Sequence, residues 1–353
     1  MLEIWRAGGS STGASAELAR AVEAQGWDGQ MFMCSQCLSA DPWAQMAVWA
    51  TATERLKFST GVTNPFTRNI AVTAGAAATI QSISGGRAVL GIGRGDSALA
   101  WLGHGPVSAK NFERAIGQLQ ILLSGGEIPF EEFGPSGDAP SIKDLPLGDR
   151  PSGVRLKWLP EDQPKVPLDV AATGPKVTAM GARIAERVTF SVGAESARLQ
   201  WALDTARGAQ GTRKVSYGAQ LVVVCHPDMD TAMEQAMIMA PPLARFQVIE
   251  GKQVGPQGVE AARNLDTVKQ GYDMTRHSDL QSKERIRNGA LTPEFVREFA
   301  IVGPPDHVTE RLRELRALGL ERFVVVGPGF YPAQWGEAGE LFHREVIPAM
   351  KAA

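Results

Sequence analysis

Cysteine is scarce in this sequence: Cys34, Cys37 and Cys225 are the only three among 353 residues. A sparse, odd set supports no disulfide framework and fits a reducing compartment. An excess of one charge is missing too. Lys plus Arg number 36 against 38 Asp plus Glu, for a formal net charge of −2. That balance argues against a nucleic-acid-binding surface and against an acidic interaction tail. No apolar run approaches the roughly 18–20 residues of a spanning helix. The opening residues, Met1 to Trp5, lack the basic stretch and apolar core of a signal peptide. The expectation is a cytoplasmic protein that acts on a small molecule, with no nucleic-acid or membrane partner.

Catalytic signatures are absent as well. There is no G-x-S-x-G, no Walker loop and no H-E-x-x-H. Cys34-Ser35-Gln36-Cys37 is a lone C-x-x-C, with neither a second pair nor paired histidines to complete a zinc site, so no metal is expected. A redox dithiol places its first cysteine at a helix start, whereas the nearest helix signal here is Asp41-Pro42, an N-cap followed by proline.

Short apolar runs alternating with helix-period segments fill most of the chain. Strands are expected over 2–7, 28–34, 57–62, 88–93, 167–173, 187–192, 218–225 and 322–327. Most read as continuous apolar runs, the pattern of parallel strands covered on their outer face. Eight strand–helix units point to a single α/β domain over 1–353, a closed (β/α)8 TIM barrel rather than an open doubly wound sheet. Two stretches interrupt the alternation. Residues 127–165, after the fourth strand, are rich in Pro, Gly and charge and suggest a hairpin around 154–159. Residues 241–300, after the seventh, are polar and helical in pattern. Both follow strands, on the barrel face that carries sites.

Two glycine-rich turns stand out. Gly91-Ile92-Gly93-Arg94-Gly95-Asp96 has Gly-x-Gly-x-Gly spacing, not the dinucleotide fingerprint, and no helix is expected at its third glycine. Its glycines suit close approach of backbone to a flat ligand. Ala172-Thr173-Gly174-Pro175-Lys176 feeds a helix start, which turns free N–H groups and the positive dipole end toward an anion such as phosphate. An ordinary N-cap turn explains the same residues equally well. Val192-Gly193-Ala194-Glu195 ends the sixth strand in a similar turn, and the two together would make one anion cradle.

Thr60-Gly61-Val62-Thr63-Asn64-Pro65-Phe66-Thr67-Arg68, followed by Gly85-Gly86-Arg87-Ala88-Val89-Leu90-Gly91-Ile92-Gly93-Arg94-Gly95-Asp96, resembles the bacterial luciferase-like superfamily. Within it the pattern is similar to the methylenetetrahydromethanopterin reductase-like branch, whose members use the deazaflavin coenzyme F420. Trp27-Asp28, Asp41-Pro42-Trp43 and Val302-Gly303-Pro304-Pro305 match in the same order. The resemblance implies a (β/α)8 barrel with insertions, a homodimer, and a flavin or deazaflavin in the barrel mouth. It implies a non-prolyl cis peptide at Gly61-Val62 or within one residue of it. The cofactor is then expected against Gly61, Val62, Thr63, Asn64, Arg94 and Gly95. Its phosphate is expected on Thr173, Gly174, Pro175 and Lys176, with Gly193 and Ala194 opposite.

The chain departs from the pattern where relatives carry acids. Cys34 and Ser35 stand at the end of the second strand, and Trp5 or Arg6 near the end of the first. Cys34, Ser35 and Gln36 are therefore the catalytic candidates, although neither a thiol nor an amide is a ready general acid at neutral pH. Three functions follow from the resemblance. The first is an F420-dependent oxidoreductase transferring a hydride to or from a small organic substrate. The second is an FMN-dependent monooxygenase, and the third a non-catalytic flavin-binding homologue.

Overall fold

The computed structural model describes residues 2–13, 15–134, 140–277, 291–329 and 332–352. Eight parallel strands close into a barrel: β1 (Glu3–Gly8), β2 (Gly29–Phe32), β3 (Lys57–Thr60), β4 (Ala88–Ile92), β5 (Leu168–Ala172), β6 (Arg187–Phe190), β7 (Ser216–Cys225) and β8 (Arg322–Gly329). Each pairs with the next, β6 bonds to β7, and β8 lies between β7 and β1. The (β/α)8 barrel expected from eight apolar runs is the observed fold.

The apolar runs are continuous because both faces of each strand are covered. Outward residues such as Ile4, Phe58, Leu90, Val188 and Phe323 pack under helices. Inward residues such as Trp5, Met31, Val89, Val222 and Val324 fill the barrel. The helices that matter for the site are α1 (Ala16–Ala24), α2 (Pro42–Ala52), α3 (Ile70–Ile83), α4 (Ala109–Leu123), α5 (Pro175–Ile184) and α6 (Ser196–Ala209). Asp41 caps α2 as its sequence suggests, accepting from the N–H groups of Trp43 at 2.9 Å and Ala44 at 3.3 Å.

Charges occupy the lower interior, where apolar side chains stop. Glu3 accepts from Lys57 at 2.5 Å and also pairs with Arg187. Asp169 pairs with Arg322 at 3.1 Å and accepts from Thr189 Oγ1 at 2.8 Å. Burial pushes the Glu3 carboxyl up, but Arg187 and Lys57 overcome it and hold the group down at about 2.

Both interruptions differ in detail from their sequence reading. The hairpin in 127–165 pairs Ile128–Pro129 with Gly153–Val154, so it begins at its expected edge and leaves 156–159 in turns. The segment after β7 opens with α7 (Met229–Ala244), which carries Pro241 and Pro242 in its last turn. There each proline removes only one late helical bond, so 241 is not yet a boundary. Then come α8 (Val259–Gly271) and α9 (Pro293–Phe299), before α10 (Pro305–Ala317). Ile301–Gly303 adds a short strand to the end of β7, too brief to show as a sequence run.

Candidate functional site

A cavity of about 850 Å³ opens at the C-terminal ends of the strands. Its floor is set by glycines that sequence spacing alone could not explain. A Cβ at Gly91 would lie 2.0 Å from the Thr60 carbonyl oxygen, and one at Gly93 would lie 2.9 Å from Val62. The Gly-x-Gly-x-Gly run thus lets β3 and β4 close together beneath the cavity. Gly95, at φ +86°, then turns the chain into a single helical turn, Ser97–Ala100, where none is expected from the sequence. The Gly61–Val62 peptide is cis, and both residues line the cavity.

Cys34 and Ser35 reach the cavity; Gln36 does not. The Gln36 amide Nε2 donates to the Ala98 carbonyl at 2.7 Å, and the Ser35 and Ser97 hydroxyls lie 3.2 Å apart. Gln36 therefore fastens the loop after β2 to the loop after β4, which removes it from the catalytic candidates. Burial pushes the Cys34 thiol up, against weaker opposite pulls from the neighbouring Thr63 hydroxyl and Arg68. The thiol is a wall, not an acid.

Thr63 and Asn64 lie behind the cavity wall, both buried. Asn64 Oδ1 accepts from the N–H groups of Phe66 and Thr67 at 3.0 Å, so it holds its own loop. Arg94 and Gly95 line the cavity. The Arg94 guanidinium is engaged by Glu250 and donates to the Val107 carbonyl at 2.5 Å.

Thr173, Gly174, Pro175 and Lys176 line the opposite end. Gly174 is the N-cap of α5, and no side chain caps this helix start. Its first N–H groups, which lack intrahelical partners, border the cavity. A Cβ on Gly174 would meet nothing closer than Val254 at 4.0 Å, so the space before the helix is open. The second half of the expected cradle is not there. Gly193 and Ala194 fall outside the cavity, because the Ala194 N–H donates to the Phe299 carbonyl at 2.9 Å and a Cβ at Gly193 would strike the Phe299 ring at 2.6 Å. The sixth-strand turn packs against α9, and the loop around Lys252 and Val254 faces α5 instead.

Sequence reasoning put the segment after β7 on the face that carries the site but named none of its residues. Met239, Leu243, Phe246 and Ile249 give the cavity an apolar wall, and Glu250, Lys252 and His277 give it polar side chains. This segment is tied down on two sides. Arg245 pairs with Asp96, and Glu250 with Arg94, on the β4 side. On the β6 side, Arg198 donates to the carbonyls of Val192, Pro256 and Val254 at 3.2, 2.7 and 2.8 Å. Asp96 itself lines the cavity, and burial pushes its carboxyl up against the pull of Arg245. Asp169, inside the barrel, is a further missed carboxylate. Its signal was present as an acid amid the apolar run Leu168-Asp169-Val170.

Comparisons with known proteins agree with this architecture. The chain is 24% identical over 329 residues to a 5,10-methylenetetrahydromethanopterin reductase of Methanolobus tindarius, covering 89% of this chain and 90% of that one. Its fold matches an F420-dependent secondary alcohol dehydrogenase solved with an F420-acetone adduct, with a TM-score of 0.72 at 17% identity and 99% coverage of both chains. It also matches the oxygenating constituent of 3,6-diketocamphane monooxygenase from Pseudomonas putida, solved with FMN, with a TM-score of 0.62 at 19% identity and 98% coverage of both. The model of the luciferase-like monooxygenase family matches residues 5–322, nearly all of the barrel, and the chain belongs to that family.

Proposed function

We propose that this chain is an F420-dependent oxidoreductase that passes a hydride between the deazaflavin and a small organic substrate, and that it works as a homodimer. The observation that carries the reading is the shape of the cavity. Val62, Gly93 and the uncapped helix start at Gly174 border one cavity, a lining that suits a flat ring joined to a phosphate. The N–H groups of Lys176 and Val177, with the Lys176 ammonium, would hold that phosphate. Val62 and Gly93 would back the ring. The names of the reductase and the alcohol dehydrogenase favour F420 as the group.

A bound deazaflavin supplies or accepts the hydride. The chain's own task is to orient the substrate and keep water away. Met239, Leu243, Phe246 and Ile249 supply the apolar cover that does this. The second reading is an FMN-dependent monooxygenase, favoured by the fold shared with an FMN-bound oxygenase and by a helix start that accepts any phosphate. A non-catalytic homologue is the third, since Cys34 offers no acid.

Fluorescence titration separates them. F420 is expected to bind the purified protein more tightly than FMN. Gly174→Leu is expected to weaken F420 binding by about tenfold or more, the loss of roughly one charge-assisted bond, with no change in Tm. Tighter binding of FMN, or full F420 affinity in the variant, overturns the reading.

A further inference from the structure

A hydride transfer to a carbonyl or imine leaves one requirement that the cofactor does not meet. The hydride brings two electrons and one hydrogen to carbon, and the oxygen or nitrogen then needs a proton. At the end of β2 the Cys34 thiol is pushed up and so is a weak donor, and the Ser35 hydroxyl lies 3.2 Å from that of Ser97. Other acids lining the cavity are committed to cations: Asp96 to Arg245, Asp169 to Arg322, Glu250 to Arg94.

Among the described residues, an imidazole also stands on the wall. His277 lines the cavity, and its Nδ1 lies 2.7 Å from the Tyr272 hydroxyl. The Tyr272 ring is itself fixed beneath the Arg245 guanidinium, 5.3 Å from ring centre to Cζ, and Arg245 is anchored by Asp96 from the loop after β4. Two segments distant in sequence thus converge to hold one imidazole at the cavity. Charged groups stand near it among the described residues. Asp273 and Arg276 pair with each other beside it, and Glu250, Arg94 and Lys252 share the wall. An imidazole is the side chain whose ordinary titration lies between pH 5 and 8.

We propose that His277 exchanges the substrate's proton, with Tyr272 as its positioning partner; this rests on the hydride-transfer reading above. In the reducing direction, the His277 imidazolium gives its proton to the substrate oxygen or nitrogen as the hydride reaches carbon. Neutral imidazole remains and takes a proton back from water. The substrate gains two electrons and two protons in all. In the oxidising direction, neutral His277 takes the hydroxyl proton as the hydride leaves carbon. Reduction therefore slows as pH rises through the imidazole titration, and oxidation slows as pH falls through it.

The test uses the F420-loaded protein. Fluorescence titration first establishes that wild type, His277→Gln and Tyr272→Phe bind F420 alike; failure of wild type to bind overturns the underlying reading, not only this assignment. Acetone and cyclohexanone are then reduced with reduced F420 across the pH range. His277→Gln is expected to lose about 100-fold or more in kcat, with KM nearly unchanged and the alkaline limb of the pH profile gone. His277→Gly is expected to recover part of its rate with added imidazole, which a structural role would not produce. Tyr272→Phe is expected to move the apparent pKa of the limb with a smaller loss. A wild-type rate and profile in His277→Gln overturns the proposal. Nuclear magnetic resonance of the ring needs no turnover. The His277 ring signals are expected to respond to pH across the assayed range and to shift when F420 binds. A ring that holds one protonation state throughout that range overturns the assignment as well.

Discussion

At Cys34 the second strand delivers a side chain to the cavity whose ionisation burial opposes. A neutral thiol there shapes the space without exchanging protons. Cys34→Ala is accordingly expected to leave F420 affinity intact and to change the relative kcat/KM of small and bulky carbonyl substrates by up to about tenfold, the value of roughly one methylene in a pocket. Steady-state kinetics with acetone and cyclohexanone check this, and identical preferences would reduce Cys34 to packing. The reach of Cys34 and Ser35 into the site was legible because strand ends on this face meet the site whatever their side chain. The role of Gln36 was not, since its partner is a backbone carbonyl 62 residues away. Nor was the place of His277, which depends on the Tyr272 hydroxyl just past the end of α8.

Elements show the same division. All eight strands were readable, because apolar runs covered on both faces leave an unbroken trace, whereas the three-residue strand Ile301–Gly303 has no run to read. The Gly174 helix start was readable from glycine and proline order, but its partner across the cavity was misassigned. Gly193 signals a turn equally whether it faces a ligand or the Phe299 ring. At the base of β1, Glu3 makes a further expectation. Its carboxyl is held at about 2 against an ordinary 4.5, so its contribution is complete above 4.5 and is lost as pH falls through 4.5 toward 2. Glu3→Gln is expected to destabilise the protein by about 3 kcal/mol at neutral pH, and by progressively less as the solution is acidified. Urea midpoints at pH 7 and pH 3 measure the difference; an equal loss at both would show that the charge is not what matters there.

For the whole molecule, α2 and α3 decide how much of the homodimer reading survives. Their sequence is apolar beyond what one buried face requires. Trp43, Met46 and Trp49 turn inward and are buried within one chain. Val48, Val72 and Ile83 remain outside, exposed by 46, 53 and 43%. Sedimentation at micromolar concentration is expected to show a dimer, and Val48→Asp with Val72→Asp to yield a monomer of unchanged Tm, because neither side chain supports the barrel. A wild-type monomer at that concentration overturns the assembly.

The pairing of β8 with both β1 and β7 has a consequence for synthesis. β1 waits for β8, more than 300 residues later in the chain. Until residues 322–329 emerge, β1 and β7 each present an open edge, and the barrel's interior charges lack Arg322, the partner of Asp169. A nascent chain arrested between β7 and β8 leaves β1 and β7 without their shared partner, an exposure that invites wrong pairing. Closure, and with it a finished cavity, is a final event that comes to the molecule all at once.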